Sequence, residues 1–374
     1  MSGVIKILFV IPSLGGGGAE RACVNLLRHL DRSRFGLSLA LFRKEGTYLG
    51  DVPADVTVYD FGSPGGRDLR LVWHLAQLLR HLQPDIVFSV LRYTNVLSLL
   101  AAHTAQSRVR IVINEQNRLR DEFALYGWGW LKERVVRWLY PQASAITAIS
   151  QGIKQELVQD FHLPDSKIWV IHNPVDLKVI RSMGNESVDH PWFDGSVPIV
   201  LAAGRLHPQK GFDYLIRAFR HVQAAMPARL VILGEGPSRR SLERLVVELD
   251  LADRVALPGF QRNPFRFIAR ASVFVLSSLY EGFGNVIVEA MALGVPVVAT
   301  RCPSGPDEII EDGVNGLLVP VADEIALAEA ILRMLRDETL AARLRQRGPE
   351  RAAAFDASHI AAQYAALFES LCTS

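Results

Sequence analysis

The chain has 374 residues, 49% of them hydrophobic and 21% charged, with a formal net charge of +2. That length allows two ordinary domains with filled cores, and the balance describes a globular chain rather than one that holds nucleic acid by charge. Residues 1–184 carry 22 basic and 16 acidic side chains and the remainder 19 and 23, so the first half is the basic one.

Cys23, Cys302 and Cys372 stand at no metal-type spacing. They argue for a reducing compartment and against zinc or a disulfide framework. Residues 4–11 are apolar but include Lys6 and run straight into a glycine cluster, which reads as a buried strand rather than a signal peptide. The longest apolar window, 86–102, is broken by Arg92 and Asn95, so no membrane span is expected.

In chain order, 4–12 is a continuous apolar run of the kind buried in parallel sheets, followed by a helix with Ala22, Leu26, Leu27 and Leu30 at helical spacing. Strand-like runs at 37–42, 56–59, 85–90, 109–114 and 144–149 alternate with helical patterns at 69–82, 94–103, 130–140 and 151–161. Such alternation predicts a doubly wound α/β domain. After a run at 168–171, residues 181–196 are rich in Gly, Asp and Ser without periodicity, the composition of an interdomain connection. The pattern then restarts, with strands at 199–203, 229–233, 255–257, 273–276 and 295–299 and helices at 212–225, 239–249, 264–269 and 285–293. A last helical pattern covers 359–371. Open α/β sheets bind ligands at the carboxyl ends of their strands. Two such domains facing each other would gather residues 15–18, 204–211 and 281–289 around one cleft.

Between Glu281 and Arg301 the single charge is Glu289, inside an otherwise apolar helical run. A carboxylate on a buried helix loses several kcal/mol of hydration unless something polar meets it, so it pairs internally or faces a ligand. Gly282 and Gly284 let backbone approach a ligand closely, and the N–H groups at the helix start around Phe283, Asn285 and Val286 suit an anion. A ligand combining hydroxyls with negative charge, such as a sugar nucleotide, fits Glu281, this turn and Glu289.

Gly15, Gly16, Gly17 and Gly18 lie between a strand and a helix, where backbone N–H groups can reach a phosphate or a sugar; a flexible turn is the alternative. Glu20 stands where a dinucleotide fingerprint has glycine, which argues against NAD. In the loop from Gly204 to Gly211, Arg205 and Lys210 can grip a diphosphate, bidentately and as a point charge. Taken alone, the two cations also fit a solvated loop.

GRLHPQKG at 204–211 followed by EGFGNVIVEA at 281–290 resembles the retaining glycosyltransferases of family four. The likeness extends over nearly the whole chain, including GGGGAER at 15–21 and NPVD at 173–176. It implies the GT-B fold, two Rossmann-like α/β domains facing a central cleft. The first, 1–180, would bind the acceptor, the second, 197–355, the donor, and a helix within 356–374 would return to the first.

The same resemblance implies that Arg205 and Lys210 bind the donor diphosphate and act in catalysis with Glu281. Glu281 and the amides of Phe283, Gly284 and Asn285 would hold the transferred sugar, and Glu289 the ribose. Gly16, Gly17, Gly204, Gly282 and Val286 complete the donor set, while Gly15, Gly16, Glu115 and Gln116 are assigned to the acceptor. Cys302-Pro303-Ser304-Gly305-Pro306 resembles a subgroup that builds bacterial oligosaccharides on polyprenyl diphosphate, often from UDP-N-acetylgalactosamine.

Many members of the family carry a histidine just after the strand matched by 109–114, whereas this chain reads Asn114-Glu115-Gln116-Asn117. Either catalysis here proceeds without that imidazole or the correspondence shifts by a residue. Residues 118–140 interleave Tyr126, Trp128, Trp130, Trp138 and Tyr140 with Arg118, Arg120, Lys132, Arg134 and Arg137. That mixture suits peripheral contact with an anionic membrane, or a core helix with a solvated basic side. His103, His172 and His207 lack telling partners and read as structural or solvated.

The reading is a cytoplasmic retaining glycosyltransferase, peripheral on the inner face of the membrane. It would move a hexose or N-acetylhexosamine from a UDP-linked donor to a hydroxyl of a lipid-linked saccharide, in assembly of a bacterial glycan, O-antigen, capsule or glycoprotein oligosaccharide. Arg205, Lys210 and helix-start amides would stabilise the leaving diphosphate, so no metal or other cofactor is expected. The rivals are a sugar-nucleotide epimerase or phosphorylase on the same fold and a non-catalytic sugar-nucleotide-binding subunit.

Overall fold

A computed structural model describes residues 4–63, 68, 70–125, 129–195 and 197–373, with the backbone alone at Ala124 and Leu125. Position 69 of the expected second helix, Tyr126, Trp128 and position 196 lie outside the described residues. The chain divides into two compact units, residues 1–174 with 357–374, and residues 175–356.

The first unit is built on seven parallel strands, β1 (Ile5–Ile11), β2 (Phe35–Leu41), β3 (Thr57–Asp60), β4 (Ile86–Val90), β5 (Arg110–Glu115), β6 (Ala145–Ala148) and β7 (Ile168–Val170), in the order β3-β2-β1-β4-β5-β6-β7. Residues 7–11 of β1 are 0% exposed, as expected of a strand covered on both faces. The order reverses direction between β1 and β4, so the segments after these two strands flank the crevice where such sheets take ligands. The terminal helix Ala357–Thr373 packs its aromatic face into this core. Tyr364 and Phe368 meet Phe88 edge-on at 5.2 and 5.7 Å, and Phe368 meets Phe35 at 6.3 Å.

The second unit has six parallel strands, β8 (Ile199–Ala203), β9 (Arg229–Leu233), β10 (Val255–Gly259), β11 (Val273–Leu276), β12 (Val297–Thr300) and β13 (Leu317–Val319), in the order β10-β9-β8-β11-β12-β13. Here the reversal falls between β8 and β11. The two segments it brings together are 204–211 and 277–284, the stretches singled out by their charges.

Residues 181–196 are not simply a connection. The helix Leu177–Gly184 buries Leu177 and Ile180, and its end is fixed within the second unit by Asn263 Nδ2 donating to Met183 O at 2.9 Å and Arg270 Nη1 to Gly184 O at 3.2 Å. A four-residue apolar stripe at helical spacing was hidden by the polar residues after it. Between 300 and 356 the sequence reading gives no strand or helix, whereas the structure has β13 and the helices Glu324–Arg336 and Glu338–Ala352. Pro349 lies inside the last of these, which obscures a helical reading.

Candidate active site

In the second unit, β8 delivers the chain to a loop that ends in the short turn Pro208–Lys210. His207 caps this turn, its Nδ1 accepting from Gln209 N at 3.3 Å. Burial, and then the charge of Arg205, lower the His207 pKa, in keeping with a neutral acceptor rather than a base. Gly211 follows at φ +58, and a Cβ there would lie 2.2 Å from Ser277 O, so glycine permits both the left-handed turn and the close approach.

The loop is stitched to the segment after β11. Leu279 N donates to Gln209 O at 2.8 Å, Ser277 Oγ to Lys210 O at 2.8 Å, and Gln209 Nε2 to Tyr280 O at 3.0 Å. As a result Lys210 Nζ meets Glu281 Oε1 at 2.5 Å, with the two side chains 18% and 8% exposed. Ser278 Oγ donates to the same carboxylate oxygen at 2.6 Å. A charge-assisted pair this shielded is fixed in place, yet Lys210 keeps donor capacity for an incoming anion. Arg205 is exposed on the same loop, and the stem of Lys210 runs past Gly204, where a Cβ would lie 3.3 Å from Lys210 Cε.

Gly282, Phe283 and Gly284 are buried, and Gly284, at φ +97, begins the helix Asn285–Ala292 without a side-chain cap. Asn285 and Val286 are partly exposed at the helix start. Glu289 is 3% exposed on that helix and is not without an interaction in the protein. The structure thus brings Gly204, Arg205, Lys210, Glu281, the glycine turn and Glu289 into one unit. Ser278 was not anticipated, although it stands directly after an apolar strand, where an open sheet places its ligand groups.

In the first unit, Gly16, Gly17 and Gly18 are exposed between β1 and the helix Gly18–His29. The Glu20 carboxylate folds back over them, since a Cβ at Gly17 would lie 2.3 Å from Glu20 Oε2 and one at Gly15 3.8 Å from Oε1. That carboxylate puts negative charge beside the loop, which disfavours a second anion close to it.

Glu115, which the resemblance assigns to the acceptor, is a buried acid. It is 1% exposed at the end of β5, accepting from Tyr140 Oη and from Asn95 Nδ2, the latter at 2.8 Å. Burial pushes its pKa up to about 8, with the nearby Glu122 adding to the rise, against the hydrogen bonds and the Arg92 charge. Arg92 itself pairs with Glu122 at 2.8 Å. Glu115 thereby ties the end of β5 to the segments that carry Asn95 and Tyr140.

Gln116 is 8% exposed and built into an amide network. Its Nε2 donates to Asn114 Oδ1 at 2.5 Å and Asn173 Oδ1 at 3.0 Å, and Asn173 Nδ2 donates to its Oε1 at 3.0 Å. Asn114 Nδ2 in turn reaches Thr147 Oγ1 at 2.9 Å and Tyr364 Oη at 3.1 Å. A histidine at this position could not donate two bonds and accept a third, so the amide belongs to the network around it.

The basic aromatic segment divides into two parts. Tyr140 is fully buried, whereas Trp130, Leu131 and Trp138 of the helix Gly129–Leu139 are 60%, 46% and 67% exposed, with exposed Arg134 on the same face. Much of the basic charge is answered locally, Arg120 by Asp160 at 2.7 Å and Arg137 by Glu133 at 2.6 Å. Among the described residues, no helix is long and apolar enough to cross a membrane.

Comparison with known proteins gives this geometry a family. Residues 16–179 match the model of Glycosyltransferase Family 4, and residues 197–337 match that of Glycosyl transferases group 1. The chain is 31% identical over 365 residues, 95% of its length and 97% of the relative's, to the N-acetylgalactosamine-N,N'-diacetylbacillosaminyl-diphospho-undecaprenol 4-alpha-N-acetylgalactosaminyltransferase of Campylobacter jejuni. It is 29% identical, over 89% of each chain, to the lipopolysaccharide core biosynthesis glycosyltransferase LpsD of Rhizobium meliloti. Among solved structures, Anabaena HepE in complex with UDP superposes with a TM-score of 0.81 at 25% identity, covering 98% of this chain and 100% of that one. The sucrose-phosphate synthase of Thermosynechococcus elongatus shares the fold with a TM-score of 0.80 at 21% identity. The two parallel α/β units, the paired Lys210 and Glu281 at a sheet's switch point and these likenesses lead to one conclusion: the chain belongs to the family-four, group 1 glycosyltransferases of GT-B fold.

Proposed function

We propose that the protein is a retaining glycosyltransferase that moves N-acetylgalactosamine or a related hexose from a UDP-linked donor to a hydroxyl of a polyprenyl-diphosphate-linked saccharide. The observation that carries this reading is the Lys210–Glu281 pair, 2.5 Å apart beside exposed Arg205 at the carboxyl ends of β8 and β11. A diphosphate that leaves with its bonding electrons needs cations waiting for it, and the sugar left behind, oxocarbenium-like, is stabilised by a nearby carboxylate. Lys210 and Arg205 take the first role, where other enzymes use a divalent metal, and Glu281 the second. Glu289, on the helix that starts at this turn, takes the ribose, and the amides of residues 283–285 hold the sugar. Retention follows if the acceptor attacks from the face the diphosphate leaves, its oxygen taking the acceptor proton.

The acceptor hydroxyl falls to the first unit. The exposed Gly15–Gly18 loop under Glu20 can receive it, and Glu115 and Gln116 shape that end of the sheet from beneath. The lipid part of such an acceptor requires the protein to work at a membrane surface, and the face formed by Trp130, Leu131, Arg134 and Trp138 fits headgroup depth. The name of the Campylobacter relative supports the choice of donor sugar and carrier, and the HepE complex supports the choice of UDP.

The test is transfer from a panel of UDP-sugars to a polyprenyl-diphosphate-linked saccharide, with the anomeric configuration of the product read by NMR. Transfer of an α-linked sugar from the α-configured donor is the expected result. Inverted product would refute retention, and epimerised donor without acceptor would turn the reading to an epimerase.

A further inference from the structure

The carboxylate at the centre of the proposed donor site is held by a turn that has no part in the proposed chemistry. After β12 the chain makes the turn 302–306, in which Ser304 is 8% exposed and stands at φ +62. Left-handed backbone suits glycine or asparagine better than serine, so the presence of serine needs its hydroxyl to explain it. That hydroxyl has a definite use, for Ser304 Oγ donates to the backbone O of Glu281 at 2.7 Å. Gly305 follows at φ +93, and a Cβ there would lie 2.2 Å from Phe283 O.

Ser304 therefore holds the Glu281 turn at its first backbone carbonyl, and Gly305 lets the chain pass close to the third. The strand before them contributes as well, with Thr300 Oγ1 donating to Ser278 O at 2.5 Å. From the other side the ring of Phe283 packs edge-on against Phe355 at 5.2 Å, with Arg351 over Phe355 at 4.8 Å. Arg351 closes the circle by donating to Ile309 O at 2.9 Å and to Glu308 O, in the helix that follows Gly305. Glu281 is thus fixed by Ser278 and Lys210 through its side chain and by Ser304 through its main chain.

We propose that Ser304 is a positioning residue for glycosyl transfer, its hydroxyl holding the 281–284 turn where the Glu281 carboxylate and the following amides meet the donor sugar, with Gly305 providing the room for it. The proposal rests on the donor site described above and adds a residue that touches neither donor nor acceptor. It separates two parts of donor recognition. The nucleotide depends on Arg205, Lys210 and Glu289, while the sugar depends on a turn that Ser304 sets.

The experiment compares wild type with Ser304→Gly and Ser304→Ala in UDP affinity by calorimetry, in donor KM and kcat, and in thermal midpoint. Glycine removes the hydroxyl while easing the left-handed backbone, and alanine removes it without that relief. UDP affinity within about twofold of wild type, a Ser304→Gly midpoint no lower than that of Ser304→Ala and a kcat lower by about 10- to 100-fold in both are expected, the loss that a misplaced reacting group brings. Gly305→Ala should give the same division between UDP affinity and kcat. Wild-type kcat and KM in Ser304→Gly would overturn the proposal, as would a kcat loss that merely follows loss of thermal midpoint. Failure of the wild type to bind UDP would instead contradict the donor site itself.

Discussion

The two sheets end in polar clusters of opposite character. After β8 and β11 a lysine and a glutamate face each other at 2.5 Å beside an exposed arginine, with side chains 18% and 8% exposed. After β5 the glutamate is 1% exposed and answered by a tyrosine hydroxyl and an amide, and the glutamine next to it spends its hydrogen bonds on two asparagines. The first cluster retains charge near its surface, which suits a diphosphate. The second is buried and bonded mostly within itself, with Asn95 Oδ1 left without a partner, which suits support. Chemically similar residues at the ends of parallel strands thus divide between binding and holding according to burial and partner.

The largest expected effect breaks the first cluster. Arg205→Ala should raise the transfer barrier by about 3 kcal/mol, a rate loss of about 100-fold, because it removes charge stabilisation that grows as the diphosphate leaves. The residue is exposed, so the thermal midpoint should stay at wild type; near-normal turnover would contradict the assignment. Lys210→Ala should cost turnover similarly but also lower the midpoint, since it leaves the Glu281 carboxylate to Ser278 alone.

A comparable but purely structural effect is expected from Glu115→Ala, which strands Tyr140 and Asn95 and should destabilise the first unit by about 3 kcal/mol. Glu115→Gln should recover most of that, and denaturant titration separates the two. The pH dependence follows from the raised pKa. Between the ordinary carboxylate value and about 8 the folded chain holds a proton that the unfolded chain releases, so stability is fully present at low pH and falls as pH rises through that window. Glu115→Gln should flatten this slope. A slope unchanged in the variant would show that another group titrates.

Smaller again is Gln116→Ala, expected to cost about 1–2 kcal/mol of stability while leaving kcat within about threefold. A hundredfold kcat loss in a folded variant would move Gln116 from support to chemistry. Outside the cluster, Trp130→Ala with Trp138→Ala should weaken binding to anionic liposomes with little change in soluble-donor affinity. Unchanged liposome binding would return that face to ordinary surface.

Much of this division is legible in the sequence, but only where charge stands out against its neighbours. Glu281, Glu289, Arg205 and Lys210 are conspicuous because the residues around them are glycine or apolar. Their pairing is less visible, since Lys210 and Glu281 are 71 residues apart and meet because β8 and β11 are neighbours in the sheet. Glu115 misleads for the same reason, for its partner Tyr140 comes from a segment whose exposed tryptophans draw attention to the surface. The alternation of strands and helices gave the α/β class, while the helix Leu177–Gly184 was obscured by the polar run that follows it. Ser304 was noticed only as part of a resembling motif; its grip on the Glu281 carbonyl depends on a backbone angle that residue type alone does not reveal.

The contrast between the two clusters is tested most directly by titrating UDP into wild type, Lys210→Ala and Gln116→Ala in a calorimeter. The account predicts UDP binding to the wild type, at least a tenfold weaker affinity in Lys210→Ala and an unchanged affinity in Gln116→Ala. Equal affinity in wild type and Lys210→Ala, or loss of binding in Gln116→Ala alone, would contradict it.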